Sequence, residues 1–204
     1  VQSGQGDRDL AVFGIQLEGD PVFGQGRRPV LGYQVGVAQY QMGIGADRFE
    51  NLHLDNLTVS APDMGGSKRA NAYSRHLQSE MVLCYKLRKR PNVVEEMSVI
   101  GEVEGRNVVI IDDMVDTART LVLAAQKMME KKAKSIRAFA THPILSGEAV
   151  ERINDSPITE LVVTDSVPIA KQSDKIKVLS IAEIFARTIQ AVNLNQSIAT
   201  SFVF

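Results

Sequence analysis

The stretch VVIIDDMVDTARTL, residues 108–121, decides how the chain is read. Val108 to Ile111 run into Asp112, Asp113 and Asp116, then into Thr117, Ala118, Arg119 and Thr120, ahead of an apolar helix-like pattern. An unbroken run of branched apolar residues predicts a strand buried on both faces. A strand that ends in carboxylates and feeds a turn of small residues predicts a ligand site. Carboxylates accept hydrogen bonds from sugar hydroxyls or hold a hard divalent cation through oxygen. The N–H groups of a helix start, with the Thr117 and Thr120 hydroxyls, suit an anion. A sugar phosphate needs that pairing. Three aspartates within five residues are costly beside one another without a cation or donors. A plainer reading stays open, in which Asp116 or Thr117 caps a helix after an acidic turn.

Outward from this stretch, strand-like and helix-like segments alternate. Strands are expected over 57–61, 80–86, 98–103, 107–112, 135–142, 160–165 and 175–180, with a terminal strand over 197–204. Helices are expected over 67–78, 118–132, 147–154 and 181–193, and residues 87–97 read as a long polar loop. That order predicts an α/β fold, a mostly parallel twisted sheet flanked by helices. Ligands of such sheets bind beyond the carboxyl ends of the strands. The segments PDMGG (62–66), DDMVDTART (112–120), THPILSG (141–147) and TDSVP (164–168) fall there.

Composition narrows the class. The 204 residues suffice for one domain with a real core and a further small piece. A net charge of -1 gives no general attraction to nucleic acid or to anionic membranes. No apolar run approaches the roughly 20 residues that cross a bilayer. The single cysteine, Cys84, sits in the apolar run MVLCY and reads as core filler in a reducing, cytoplasmic setting. Ten of the 15 glycines lie within residues 1–45, and the first lysine is Lys68. Residues 1–48 therefore read as a separate Gly/Gln-rich leader with weak strands at best, such as 30–40. Residues 49–204 form the structured domain.

Several further segments agree on one family. VVIIDDMVDTART resembles the phosphoribosyl pyrophosphate motif of the phosphoribosyltransferase fold, in the DDxxDT form found in ribose-phosphate pyrophosphokinases. SAPDMGGSKRANAYSRHL (60–77) resembles that family's SPDxGGxKRA segment, and YKLRKRPNVVEEM (85–97) its catalytic flexible loop, KxRxxxNxVxxM. THPILSGEAVERI (141–153), VVTDSVP (162–168), IAEIFARTI (181–189) and SIATSFVF (197–204) resemble the segments that follow, in order. The resemblance covers residues 49–204, the family's second domain; residues 1–48 resemble nothing in its first.

The resemblance implies a reaction and a site. ATP and ribose 5-phosphate would give phosphoribosyl pyrophosphate and AMP, with Mg²⁺, in nucleotide biosynthesis. Lys86 and Arg88 would be the catalytic loop residues that neutralise the transferring phosphates. Asp112, Asp113 and Asp116 would meet the ribose hydroxyls. Thr117, Ala118, Arg119 and Thr120 would wrap the 5-phosphate, with Arg88 also on that substrate. Asp63 would be linked to the metal. A homo-oligomer, a hexamer in the family, is implied, with no nucleic-acid or membrane partner. The chain looks like a fragment of such an enzyme. The alternative is a non-catalytic, synthetase-associated or regulatory protein that binds sugar phosphate; a nucleobase phosphoribosyltransferase is disfavoured by the flexible-loop and SPDxGGxKRA-like segments.

Taken without the resemblance, Lys86, Arg88, Lys89 and Arg90 read as a solvated basic loop. Lys68 and Arg69 are either surface charge or phosphate contacts. His53 reads as an exposed flanking residue, His76 as structural, and His142 as a strand-end residue near the site. Arg119 stands where the family's loop has glycine. If glycine served a positive φ there, arginine strains the loop by about 1–2 kcal/mol. If the backbone is helical, Arg119 is tolerated and either reaches the phosphate or blocks it. The expectation is weaker ribose 5-phosphate binding than by an Arg119→Gly variant.

Overall fold

A computed structural model describes residues 54–87 and 96–198. They belong to two compact units, one holding residues 54–180 and the other residues 181–198. The expected strand over 30–40, His53, the loop residues Arg88 to Asn92 and most of the expected terminal strand lie outside the described residues.

The first unit is built on a seven-stranded sheet. Its strands are β1 (Leu57–Ala61), β2 (Glu80–Leu87), β3 (Glu96–Ile100), β4 (Asn107–Val115), β5 (Ser135–Pro143), β6 (Ile158–Thr164) and β7 (Ile176–Leu179). The order is β3-β2-β1-β4-β5-β6-β7. Neighbours are parallel except for β2 and β3, which pair antiparallel. Helix α1 (Ser67–His76) joins β1 to β2, α2 (Arg119–Glu130) joins β4 to β5, and α3 (Ala149–Asn154) joins β5 to β6. The expected mostly parallel sheet flanked by helices is present.

The run VVII buries both faces of β4. Val109 and Ile111 pack with Ala70 and Tyr73 of α1 and with Phe139 and Val162 of the neighbouring strands. Val108 and Ile110 point the other way, into a cluster with Leu121, Ala124 and Met128 of α2 and Ile153 of α3. Side chains alternate along a strand, so a central strand covered on both sides must be apolar at every position. Each buried Val, Ile, Leu, Phe or Met side chain among these contributes about 1.5–3 kcal/mol. Cys84 is buried in the second cluster, as its apolar context implied.

Most boundaries move by one to three residues from the sequence expectation, and local backbone explains three of the shifts. Strand β3 ends at Ile100 rather than 103 because Gly101 turns the chain with φ 113. Helix α2 begins at Arg119 because Ala118 is left-handed (φ 59, ψ 3), and α3 begins at Ala149, after Gly147 at φ 59. Strand β4 continues to Val115, so Asp112 is not its last residue and Asp113 lies inside the strand rather than after it. Parallel pairing explains this last difference: Asp112 is opposite Ala140, and Met114 opposite His142.

The topology offers a crevice for a candidate site. From β1 the chain moves outward to β2 and β3, then returns to place β4 on the other side of β1. The direction of winding reverses between β1 and β4. The carboxyl ends of two strands that wind apart leave a crevice there, the usual ligand position in open α/β sheets. Asp63 follows β1, and Asp112 and Asp113 lie in the carboxyl-terminal half of β4.

The described part of the second unit contains helix α4 (Ala182–Asn193), braced by the Arg187–Glu183 ion pair one turn apart.

Candidate active site

Between β1 and α1 the chain makes a 3-10 turn, Met64–Gly66, capped by Asp63, whose Oδ1 accepts the Gly66 N–H at 3.2 Å. Glycine is needed at residue 66 for space. A Cβ there would lie 3.3 Å from the Ala61 Cβ and 3.8 Å from the Ile111 carbonyl oxygen. The close turn starts α1 against the end of β4, and Arg69 in its first turn reaches across. Its Nη1 stands 3.4 Å from Asp112 Oδ1 and its Nη2 3.1 Å from Asp113 Oδ2. Here is the donor set that the adjacent aspartates required. The sequence left Arg69 undecided because a cation on a helix surface has no local mark of its partner.

The aspartates also use the main chain. Asp112 Oδ1 accepts the Asp113 N–H at 2.9 Å, and Asp113 Oδ1 accepts the Met114 N–H at 2.9 Å. Burial pushes the Asp112 carboxyl up to about 7, helped by the hydrogen bond and negative charge of Asp113 and opposed by Arg69. Asp113 moves the opposite way. Burial pushes it up, but the hydrogen bond from Asp112 and the Arg69 guanidinium outweigh burial and hold it below the usual range. The two carboxyls are thus pushed in opposite directions, with Asp112 the one that takes a proton more readily.

The next residues form a cradle. Four consecutive carbonyls are turned away and occupied. Val115 accepts from Leu145 N–H at 3.0 Å, Asp116 from Ser146 N–H at 3.1 Å, and Ala118 from Val122 N–H at 2.9 Å. Thr117 accepts from Arg152 Nη1 at 3.0 Å. The N–H groups of Arg119, Thr120 and Leu121 open helix α2, where an α-helix supplies no carbonyl to receive them. With carbonyls held outward and donors at the helix start, the loop is suited to an oxyanion. The plain capping reading does not hold. The residue before the helix is Ala118, and no side chain caps it.

The expected residues map as follows. Asp112 and Asp113 are adjacent to Arg69, and Asp116 and Thr117 are exposed in the loop beside them. Ala118 is buried; Arg119 is exposed at the first helical position, and Thr120 is half-buried. Lys86 is half-buried near the end of β2, three residues past the Leu83 that pairs with Ala61 of β1. Arg88 lies outside the described residues. His142 donates or accepts at Nδ1 with Ser166 Oγ at 2.9 Å. Arg152 escaped the sequence reading altogether, because its partner is a main-chain oxygen 35 residues away.

The described residues contain no group of three or more His, Cys, Asp or Glu arranged for a metal ion. Mg²⁺ does not require one, since it is commonly bound by one or two carboxylates together with substrate phosphates and water. The exposed Asp63 carboxylate fits that lesser requirement. Among the described residues no helix is long and apolar enough to cross a membrane.

Comparison with known proteins gives a consistent pattern. The phosphoribosyl synthetase-associated domain family matches residues 64–203. The chain is 43% identical over 155 residues to a ribose-phosphate pyrophosphokinase of Porphyromonas gingivalis, covering 76% of this chain and 50% of that protein. It is 42% identical over 156 residues to the ribose-phosphate pyrophosphokinase of Bacillus subtilis, covering 76% and 49%. Among solved structures it is similar to phosphoribosylpyrophosphate synthetase from Mycobacterium smegmatis, with TM-score 0.70 and 29% identity over 76% of this chain and 51% of that one. The adenine phosphoribosyltransferase (APRTase) of Giardia lamblia shares the fold, at TM-score 0.52 and 12% identity over 74% and 82%. The chain spans about half the length of the curated relatives it matches.

Proposed function

The chain belongs to the phosphoribosyl synthetase-associated domain family, and from that premise we propose that it provides the ribose 5-phosphate half of a ribose-phosphate diphosphokinase. The reaction transfers diphosphate from ATP to ribose 5-phosphate and yields 5-phosphoribosyl 1-pyrophosphate and AMP. The observation that carries this reading is the succession on one strand, loop and helix of a carboxylate pair and an N–H cradle. The pair suits a sugar diol, and the cradle suits the phosphate a few atoms away.

In this reading the cradle of Thr117 to Thr120 binds the 5-phosphate, and Asp112, Asp113 and Asp116 accept from the ribose hydroxyls. The anomeric oxygen is thereby held for in-line attack on the β-phosphorus of ATP. The new bond is from that oxygen to the β-phosphorus. The bridge between the α- and β-phosphoryl groups breaks, AMP departs, and the anomeric hydroxyl releases its proton. Little covalent chemistry falls to the protein, so positioning and charge stabilisation dominate. Lys86 and Arg88 neutralise the transferring phosphates. Asp63 is the residue that would hold Mg²⁺, which supplies charge neutralisation on the diphosphate. A homo-oligomer, a cytoplasmic location and small-molecule partners only complete the proposal.

Calorimetric titration with ribose 5-phosphate is the test of the site. Saturable binding, weakened by Asp112→Asn and absent with ribose alone, is the expected result. A flat titration sinks the reading. A second reading, a non-catalytic synthetase-associated protein that binds sugar phosphate, is favoured by Arg119, which stands where the family's loop has glycine. AMP formation from ATP and ribose 5-phosphate separates the two: binding without turnover selects the second.

A further inference from the structure

Building on that phosphate cradle, we infer that Arg152 is a positioning residue: it holds the Thr117–Ala118 peptide with its N–H turned toward the bound phosphate. Arg152 lies on α3, outside the acidic motif. Its Nη1 donates to the Thr117 carbonyl oxygen at 3.0 Å, and its Nη2 donates to Glu148 Oε2 at 2.8 Å. The second contact aims the guanidinium at the first.

A carbonyl and the N–H of the next residue point in opposite directions across a trans peptide. The described backbone has no cis bond. Fixing the Thr117 carbonyl on the α3 side therefore fixes the Ala118 N–H on the other side. This peptide has a definite alternative. Ala118 sits at φ 59, a conformation that residues with a Cβ avoid. Rotating the Thr117–Ala118 peptide by half a turn would bring φ of Ala118 to a negative value. It would also put the Thr117 oxygen where the Ala118 N–H had been, so that an acceptor replaced a donor facing an anion. The neighbouring carbonyls of Val115, Asp116 and Ala118 are held by main-chain donors. Thr117 is the member of the four held by a side chain, and so the one at which a single substitution can release the loop.

The test uses the 204-residue chain, with amide spectra recorded during titration by inorganic phosphate and by ribose 5-phosphate. In the wild type the amides of Ala118, Arg119 and Thr120 shift on binding. Arg152→Met weakens affinity for both probes about tenfold or more, loses the Ala118 response, and leaves the unfolding midpoint nearly unchanged. Millimolar methylguanidinium restores part of the affinity, and Arg152→Lys retains part of it. Glu148→Gln, which frees the guanidinium without removing it, gives a two- to threefold loss. Unchanged affinity with an intact Ala118 shift in Arg152→Met overturns the inference and leaves the cradle standing. No shift of these amides in the wild type with either probe overturns both.

Discussion

Arg69 Nη2 stands 3.1 Å from Asp113 Oδ2, while the Nη1 of the same guanidinium lies 3.4 Å from Asp112. One cation on α1 thus ties that helix to two neighbouring carboxylates on β4. The sites are partly exposed, with 27% of the Arg69 side chain and 25% of the Asp112 side chain accessible, so solvent screens the attraction. Arg69→Met is expected to lower stability by about 1–2 kcal/mol at pH 8. At pH 5 the loss is smaller, because Asp112, pushed up to about 7, then carries a proton and only Asp113 needs the cation. Urea unfolding at the two pH values is the measurement. Equal losses at both would show that Arg69 does not act as counter-ion to Asp112.

Asp112 also imposes a pH dependence whose sign follows from its raised pKa. Between about 4 and about 7 the folded protein keeps the Asp112 proton, whereas the unfolded chain has released it. The folded state then binds more protons, so this group removes stability as pH rises through that window. The effect is absent below the window and complete above it. Relative to Asp112→Asn, the wild type should lose on the order of 3 kcal/mol between pH 4.5 and pH 8. Starting at pH 4.5 keeps clear of Asp113, whose lowered pKa gives the opposite slope under more acidic conditions. Parallel stability profiles for the two proteins would refute the assignment.

Much of this was legible in the residues. The apolar run of β4 announced burial on both faces, and the DDxxDT pattern announced the loop after it. What stayed hidden depends on contacts across the sheet. Arg69 gains meaning only when α1 folds back on β4, and Arg152 only when α3 packs beside a loop 35 residues earlier. Backbone sign at this turn stayed open for a related reason. Sequence comparison drew attention to Arg119, where the family has glycine, while the left-handed residue is its neighbour Ala118. A missing glycine marks a local difference but not which peptide carries the turn.

Gly101 closes β3 under a stricter demand than the loop glycines. Its φ of 113 disfavours any side chain, and a Cβ there would lie 2.6 Å from Val82 Cγ1. Val82 is buried in the sheet and has little room to move. Gly101→Ala is therefore expected to destabilise by about 2–4 kcal/mol, combining backbone strain with overpacking. Gly105 is the control: φ is 70, but nothing lies within 4 Å of an added Cβ. Gly105→Ala should cost only about 1 kcal/mol. Urea midpoints that fall equally for both variants would remove the steric part of the argument.

Arg119 is the last residue whose role changes with the structure in hand. It occupies the first position of α2, with the strain one residue earlier, so the backbone argument for weakened binding does not apply. What remains is electrostatic. A cation in the first turn opposes the helix dipole and costs about 0.3–1 kcal/mol in the ligand-free protein. A bound phosphate reverses that sign, because it places a dianion between the cation and the helix N–H groups. Arg119→Ala is thus expected to raise stability by about 0.5 kcal/mol and to weaken binding of ribose 5-phosphate about two- to threefold at low salt. The binding difference should shrink as salt is raised, since the side chain is exposed. Calorimetry at low and high ionic strength decides it. Tighter binding by the alanine variant at both would mean that Arg119 blocks the cradle, one of the two outcomes the sequence alone left open.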